Sequence, residues 1–503
     1  MMNSWAPMAA LALLGCSATL VGKAEVARVR LDEGTLSGVL TDGVASYKGI
    51  PYAAPPVGPL RWAPPAPPKA WSGERADDDF GPSCMQPTIP RNLPPGSRAA
   101  QLSEDCLTLN VWTPANARQA PVMVWIHGGG NLNGSSADTY YDGSGFARDG
   151  VILVSLNYRL GVFGFFAHPA FAREHVADEG NFGLSDQIAA LRWVKHNIAR
   201  FGGDPDNVTL FGESAGGEDT VALLTVRAAR GLFQRAIAES AGGGWGPPLT
   251  HSEAESQGTQ LAKALNLPGA VAKLSDLRAV PAQQLVMSEA GQDAGPFIDG
   301  RLLTQPPLSA VAKGDFSRVP VVIGTNSEEG SLISDKASVG DFFPRLSAED
   351  LAQLKTDYGA EVSSDHAFAE LVFRDAYFAG PARWIARQLA AKGTPAYLYR
   401  FQYILEVLRS RRSGARHGSE IPFVFEQWPA SRVTDVDRLV GRALHDCWVA
   451  FARSGKPDCQ GAPGWTPVSG SNDWMVFDSQ PGMRPIQSKA ALDLLESRLG
   501  PTG

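Results

Sequence analysis

The chain has 503 residues, 44% of them hydrophobic and 19% charged, with a formal net charge of -7. That composition is globular, without a repeat period or a long low-complexity tract, and it lacks the basic excess expected of a nucleic-acid binder. Neither a GxxxxGK[ST] phosphate loop nor an HExxH zinc motif occurs, so the sequence offers no signature of nucleotide or zinc-protease chemistry.

In chain order, residues 1–24 read as an export signal. Ala6 to Val21 is mostly apolar, the length of a signal h-region and too short to span a bilayer. Met1 to Trp5 carries no Lys or Arg, a weak n-region. Leu13-Leu14-Gly15-Cys16 resembles a bacterial lipobox, in which Cys16 would be lipidated; ordinary cleavage near Ala24 is the alternative, and an uncleaved segment a third. The expected location is periplasmic or secreted, with a lipid anchor at Cys16 the one route to a membrane. Removing Cys16 leaves Cys84, Cys106, Cys447 and Cys459, an even number that suits an oxidising compartment. Cys84 and Cys106 enclose a Pro-rich stretch, and a disulfide closing it would add roughly 3 kcal/mol. Cys447 falls on the apolar face of a helical run and is either a buried small hydrophobe or the partner of Cys459.

Val26 to Leu31 and Thr35 to Leu40 predict a hairpin around Asp32-Glu33-Gly34. Leu107 to Thr113, Val122 to Ile126, Val151 to Leu156, Val208 to Phe211, Val319 to Gly324 and Ala396 to Phe401 predict further strands. Helical runs at Leu184 to Arg200, Ala215 to Ala228 and Asp435 to Arg453 lie between or after them. This alternation predicts an α/β fold, a large mixed sheet with a mostly parallel centre flanked by helices. No linker divides residues 25–503, so one domain is expected. Ligands in such sheets bind beyond the carboxyl ends of the strands, which gives weight to motifs placed there.

Gly212-Glu213-Ser214-Ala215-Gly216 stands between the Val208 strand and the Ala215 helix. That setting lifts a serine oxygen above a sheet on a sharp turn. A serine needs a base, and the base an orienting carboxylate, in the chain order Ser, acid, His for this fold. Of His366, His417 and His445, the first and last fall on helical runs, while His417 lies in a loop after the Ala396 strand. Glu328 and Glu329 both follow the Val319 strand, and spacing does not choose between them. His127-Gly128-Gly129-Gly130 ends the Val122 strand and suits an oxyanion hole of backbone amides.

With these motifs in place the chain resembles the type B carboxylesterases, the cholinesterase-like branch of the α/β hydrolases, para-nitrobenzyl-esterase-like members among them. Tyr47-Lys48-Gly49-Ile50-Pro51-Tyr52-Ala53, Glu104-Asp105-Cys106-Leu107-Thr108-Leu109-Asn110-Val111, Asn157-Tyr158-Arg159-Leu160-Gly161 and the run from Phe201 through Gly217 carry the likeness. The resemblance implies ester hydrolysis through an acyl-enzyme, without metal or organic cofactor. It implies Ser214 as nucleophile, His417 as base and Glu329 as the acid, with Gly129, Gly130 and Ala215 giving the oxyanion amides. It further implies a Cys84–Cys106 disulfide and structural ion pairs Arg61–Glu104 and Arg159–Asp186. Glu213 would line the pocket beside the nucleophile, tuning its field or serving structure alone.

Departures bear on the substrate. The Cys84–Cys106 loop has no aromatic residue, which disfavours cation–π recognition of a quaternary ammonium. Asn131 stands where the family usually has an aromatic, and Glu218 and Asp219 where it has small or hydroxylic residues. Trp245 and Phe297 are candidate pocket walls, with core packing the alternative. Arg409, Arg411, Arg412 and Arg416 crowd the approach to His417, as a solvated loop or as a device favouring anionic esters. The expected partner is a small-molecule ester; the sequence leaves the oligomeric state open. Rival readings are a lipase or an aryl- or anionic-ester specialist on the same fold, and a non-catalytic binding homologue, which would be expected to lack part of the triad.

Overall fold

A computed structural model describes residues 25–175, 180–288, 295–428, 432–469 and 473–501; the proposed export segment with Cys16 lies outside them. Its strands are β1 (Glu25–Arg30), β2 (Thr35–Thr41), β3 (Val44–Pro51), β4 (Glu74–Ala76), β5 (Ser83–Cys84), β6 (Leu102–Ser103), β7 (Thr108–Pro114) and β8 (Ala120–Ile126). There follow β9 (Ile152–Leu156), β10 (Gly203–Glu213), β11 (Arg235–Glu239), β12 (Val321–Asn326), β13 (Ala396–Phe401), β14 (Trp474–Phe477) and β15 (Gly482–Arg484).

One 13-stranded sheet runs β1-β2-β3-β7-β9-β8-β10-β11-β12-β13-β14-β15, with β4 added on β2. From β9 to β14 every neighbouring pair is parallel. The pairs from β1 to β9, and β14 with β15, are antiparallel. This is the mixed sheet with a parallel centre that the alternation predicted. Parallel neighbours require crossovers, and helices such as Ala215–Thr225 between β10 and β11 supply them.

Both faces of the sheet are covered, and the period of two shows in single strands. In β8, Val122, Val124 and Ile126 join one core cluster while Met123 and Trp125 join the other. In β13, Ala396 and Leu398 face the first cluster and Tyr397, Tyr399 and Phe401 the second. Side chains that alternate this way bury apolar surface in two layers at once.

The predicted hairpin forms, with Arg30 opposite Thr35. The strand expected from Val319 starts instead at Val321; Pro320 has no N–H to give a ladder. β11 was not anticipated. Cys84–Cys106 and Cys447–Cys459 are both disulfides, so Cys447 is at once buried and paired.

The two expected ion pairs are present. Arg61 contacts Glu104 through Nε and Nη2 at 2.7 and 2.5 Å. Arg159 grips Asp186 through Nε and Nη2, both at 2.7 Å, with the side chains 3% and 0% exposed. Removing one partner strands the other charge in the interior, so Arg159→Met is expected to destabilise the protein by about 3–5 kcal/mol. Urea unfolding followed by tryptophan fluorescence reads this directly; a loss under about 1 kcal/mol would refute it.

Candidate active site

β10 runs straight into Ser214, whose backbone takes φ 56° and ψ -126° before the helix Ala215–Thr225 begins. A non-glycine residue in that region is strained, and such strain persists only when surroundings fix it. Here they do: the Ser214 amide donates to the Glu239 carbonyl at the end of β11 (2.9 Å), and its own carbonyl accepts from Glu218 N (2.9 Å). The flanking glycines are required by backbone proximity. A Cβ on Gly216 would lie 2.1 Å from the Ile126 carbonyl oxygen, and one on Gly212 would lie 2.5 Å from the Gly216 carbonyl.

The glycine turn after β8 lies against the serine: a Cβ on Gly128 would come within 3.0 Å of the Ser214 Cβ. Gly129 and Gly130 take φ 110° and 65°. His127 anchors the turn, its Nδ1 2.8 Å from the Gly128 carbonyl and its ring stacked on Tyr158. Burial pushes its pKa down to about 4, which keeps the ring neutral. Ala215 opens the helix, so its N–H is one of the donors a helix leaves without an internal partner.

Glu329, fully buried just past β12, faces His417 with Oε2 2.6 Å from Nδ1. Its other oxygen accepts from Ser240 Oγ (2.6 Å), Thr325 Oγ1 (3.0 Å) and the Asn326 amide (2.8 Å). Burial alone would raise this carboxyl, but the imidazole and these donors hold it below the ordinary glutamate value. Glu328 points the other way. It bonds Ser413 and lies 3.3 Å from Arg416 Nε. Of the two glutamates, Glu329 is the one in contact with His417. His366 lies on a helix 3.5 Å from Glu370, and His445 is buried in the helix Asp435–Ser454, bonded to the Val424 carbonyl.

Further carboxylates surround the histidine. Glu213 Oε1 is 3.1 Å from His417 Nε2, yet makes no hydrogen bond, and Glu420 is held by Asn326 and by Ser240 at 3.4 Å. Burial raises the pKa of both glutamates. Burial by itself would lower His417, but Glu213 and Glu329 outweigh it and hold the imidazolium up. Glu213→Gln removes part of that attraction. A base acts when deprotonated, so activity is lost as pH falls through its pKa, and a lower pKa moves that limb down. The acidic limb of kcat/KM is therefore expected about one unit lower in Glu213→Gln. A limb that stays or rises would refute the attribution.

Two departures in sequence are one interaction in space. Asn131 Nδ2 donates to Asp219 Oδ1 at 3.3 Å, and Gln187 Nε2 to Oδ2 at 2.5 Å. Asp219 thereby ties the glycine turn to the elbow helix. Beside that helix opens a cavity of about 350 Å³, walled by Glu218, Asp219, Gly242, Trp245, Leu303 and Ile385 among others. Trp245 lines this cavity and is also buried in the core, so both alternatives stand for it. Phe297 does not line it; it packs against Ala167 and Ala254 and leaves no room for a side chain at Gly180. Two members of the arginine cluster turn away from the cavity. Arg409 lies over Tyr403 and pairs with Glu406 at 3.2 Å, and Arg416 is half-exposed beside Glu328, outside the cavity. Ser240, Glu239, Gln187 and Glu420 escaped sequence reasoning; only Ser240 carried a signal, a hydroxyl just after a strand that was itself missed.

The sheet order, the strained serine between β10 and its helix, and the Glu329–His417 contact define an α/β-hydrolase. The match to the Carboxylesterase family covers residues 25–350 and 347–494. The chain is 38% identical over 479 residues to the fumonisin B1 esterase of Sphingopyxis macrogoltabida, covering 89% of this chain and 86% of that protein. It is 35% identical over 477 residues to the para-nitrobenzyl esterase of Bacillus subtilis, covering 89% and 94%. Among solved structures, a PNB esterase superposes with a TM-score of 0.80 at 32% identity, over 93% of this chain and 99% of that one. A Geobacillus stearothermophilus carboxylesterase gives 0.80 at 32% identity, over 92% and 99%. The chain belongs to the carboxylesterase family and is a carboxylic-ester hydrolase.

Proposed function

We propose that the protein cleaves esters through an acyl-enzyme on Ser214, with His417 as general base and Glu329 holding the imidazole. The observation that carries this is the 2.6 Å contact between Glu329 Oε2 and His417 Nδ1 beside a serine held at φ 56°. His417 takes the serine proton as Oγ attacks the ester carbonyl, then returns it to the leaving alcohol. The tetrahedral oxyanion is received by the amides of Gly129, Gly130 and Ala215, each such donor being worth about 2.7–4 kcal/mol in the transition state. Water, activated by the same histidine, then frees the acid. In the resting protein Nε2 lies 3.1 Å from Oε1 of Glu213, the residue before Ser214; on this reading it engages Ser214 when substrate binds, a tightening common in such sites.

The cavity beside the elbow helix carries Glu218 and Asp219, whose pKa values burial raises to about 7, together with Arg345 and Arg498, while the arginines before His417 lie elsewhere. The two disulfides suit an oxidising compartment, and with them export by residues 1–24 belongs to the same reading. Stopped-flow hydrolysis of chromogenic esters of graded acyl length tests the function. A burst equal to the enzyme concentration is expected; its absence with every ester, together with no turnover, would overturn it.

A further inference from the structure

Arg61, Arg159, Arg374, Arg383 and Arg400 are the buried arginines of the described chain. The first two have the ion pairs given above. Arg374 grips Asp375 through Nε (2.7 Å) and Nη2 (3.0 Å), and Arg383 pairs with Asp493 and, at 3.8 Å, Glu496. Arg400 is different. It is 9% exposed and, among the described residues, no carboxylate pairs with it; its Nε, like Nε and Nη1 of Arg383, has no hydrogen-bond partner. A buried cation is costly unless paired, and Arg400 has the like charge of Arg374 for a neighbour. Burial and that neighbour push its pKa down to about 10, against the opposing pull of Asp375, Glu361 and Glu329.

The sheet aims it. In β13 the alternation that sends Tyr399 and Phe401 to one face sends Arg400 to the other, where it lines a cavity of about 620 Å³ with Arg374, Gln402, Ser413, Glu361 and Glu370. That volume is in the range of small-molecule sites. The cavity is separate from the one beside the elbow helix and shares no lining residue with it. Ser327, Glu328 and Gly330, the neighbours of Glu329, form part of its wall.

We propose that this cavity is a second binding site, for a small monocarboxylate that also bears a hydroxyl or ammonium group. The guanidinium fork of Arg400 matches a carboxylate in two parallel hydrogen bonds. The remaining charged groups select the rest of the ligand. Glu361 is only loosely paired, 3.6 Å from Arg374, and Glu370 lies 3.5 Å from His366. Both, with Glu328 on the wall, offer acceptors to a donor and repel a second negative charge. Gln402 and Ser413 add neutral polar contacts. An occupant would rest against the loop that carries Glu329, the acid of the proposed triad, without touching Glu329 itself.

Thermal unfolding of the whole protein tests this without ester turnover, so its result stands apart from the catalytic assignment. With 3-hydroxybutyrate or β-alanine at millimolar concentration, Tm is expected to rise by about 1–3 °C. Butyrate, phosphate and citrate should raise it less. Arg400→Met should lose the rise yet, without ligand, melt at or above the native protein, because an unpaired charge has gone. Arg400→Lys, which keeps the charge but not the fork, should retain a smaller rise. No rise with either probe, an equal rise in Arg400→Met, or a larger one with phosphate or citrate would overturn the proposal. So would a ligand-free Arg400→Met that melts several degrees lower, since Arg400 would then be serving the fold.

Discussion

Ser214→Ala is expected to lower kcat by about 10⁶-fold and to abolish the burst, while leaving the fold intact. The size follows from the loss of the covalent path: without Oγ, only binding and the oxyanion amides remain, which keeps about 10³–10⁴ over the uncatalysed reaction. The intact fold follows from the elbow itself. The strain at φ 56° comes from the backbone and the Cβ, which alanine shares, and the Ser214 amide still reaches the Glu239 carbonyl. Tm should therefore move by no more than about 1 °C. Turnover above about 1% of the native rate in a clean preparation would mean that Ser214 is not the nucleophile, since single losses within a working triad fall far below that.

Much of this architecture was legible because local pattern and global burial agree. The parallel centre announced itself in β8, β9, β12 and β13, short apolar runs buried on both faces. β11 did not. Arg235-Ala236-Ile237-Ala238-Glu239 is short and rich in helix formers, and it is a strand because β10 and β12 pair with it on both sides. Missing β11 hid two parts of the site: the Glu239 carbonyl that fixes the Ser214 amide, and Ser240, which orients Glu329. The serine elbow and the glycine turn were visible because their chemistry is local. Glu329 and His417 are 88 residues apart, so their meeting is tertiary, and only the resemblance separated Glu329 from Glu328. The same limit explains Asn131 and Asp219, each noticed alone, whose bond spans 88 residues. Of the four arginines before His417, dense in sequence, Arg409 turns to Tyr403 and Glu406 and Arg416 to Glu328, neither into the cavity beside the elbow helix.

Glu329→Gln is expected to cost about 10⁴ in kcat, the loss typical when a triad carboxylate becomes an amide, and Glu328→Gln less than about threefold. The structure shows why an amide fails here. Glu329 Oε1 receives three hydrogen bonds, from Ser240, Thr325 and the Asn326 amide. That is an acceptor's place, so a glutamine must put its carbonyl oxygen there and turn its NH₂ toward His417 Nδ1. An NH₂ facing Nδ1 requires the tautomer with the proton on Nε2, the nitrogen that must accept the serine proton. The variant thus folds with its base blocked, and it also loses the negative charge that would stabilise the imidazolium. Glu328, by contrast, holds Ser413 and Arg416 on the outer side of the loop, where an amide disturbs only a part-exposed pair. Steady-state rates with one chromogenic ester decide the matter. If Glu328→Gln proves the more damaging of the two, the acid has been assigned to the wrong glutamate and the triad drawn around His417 fails with it.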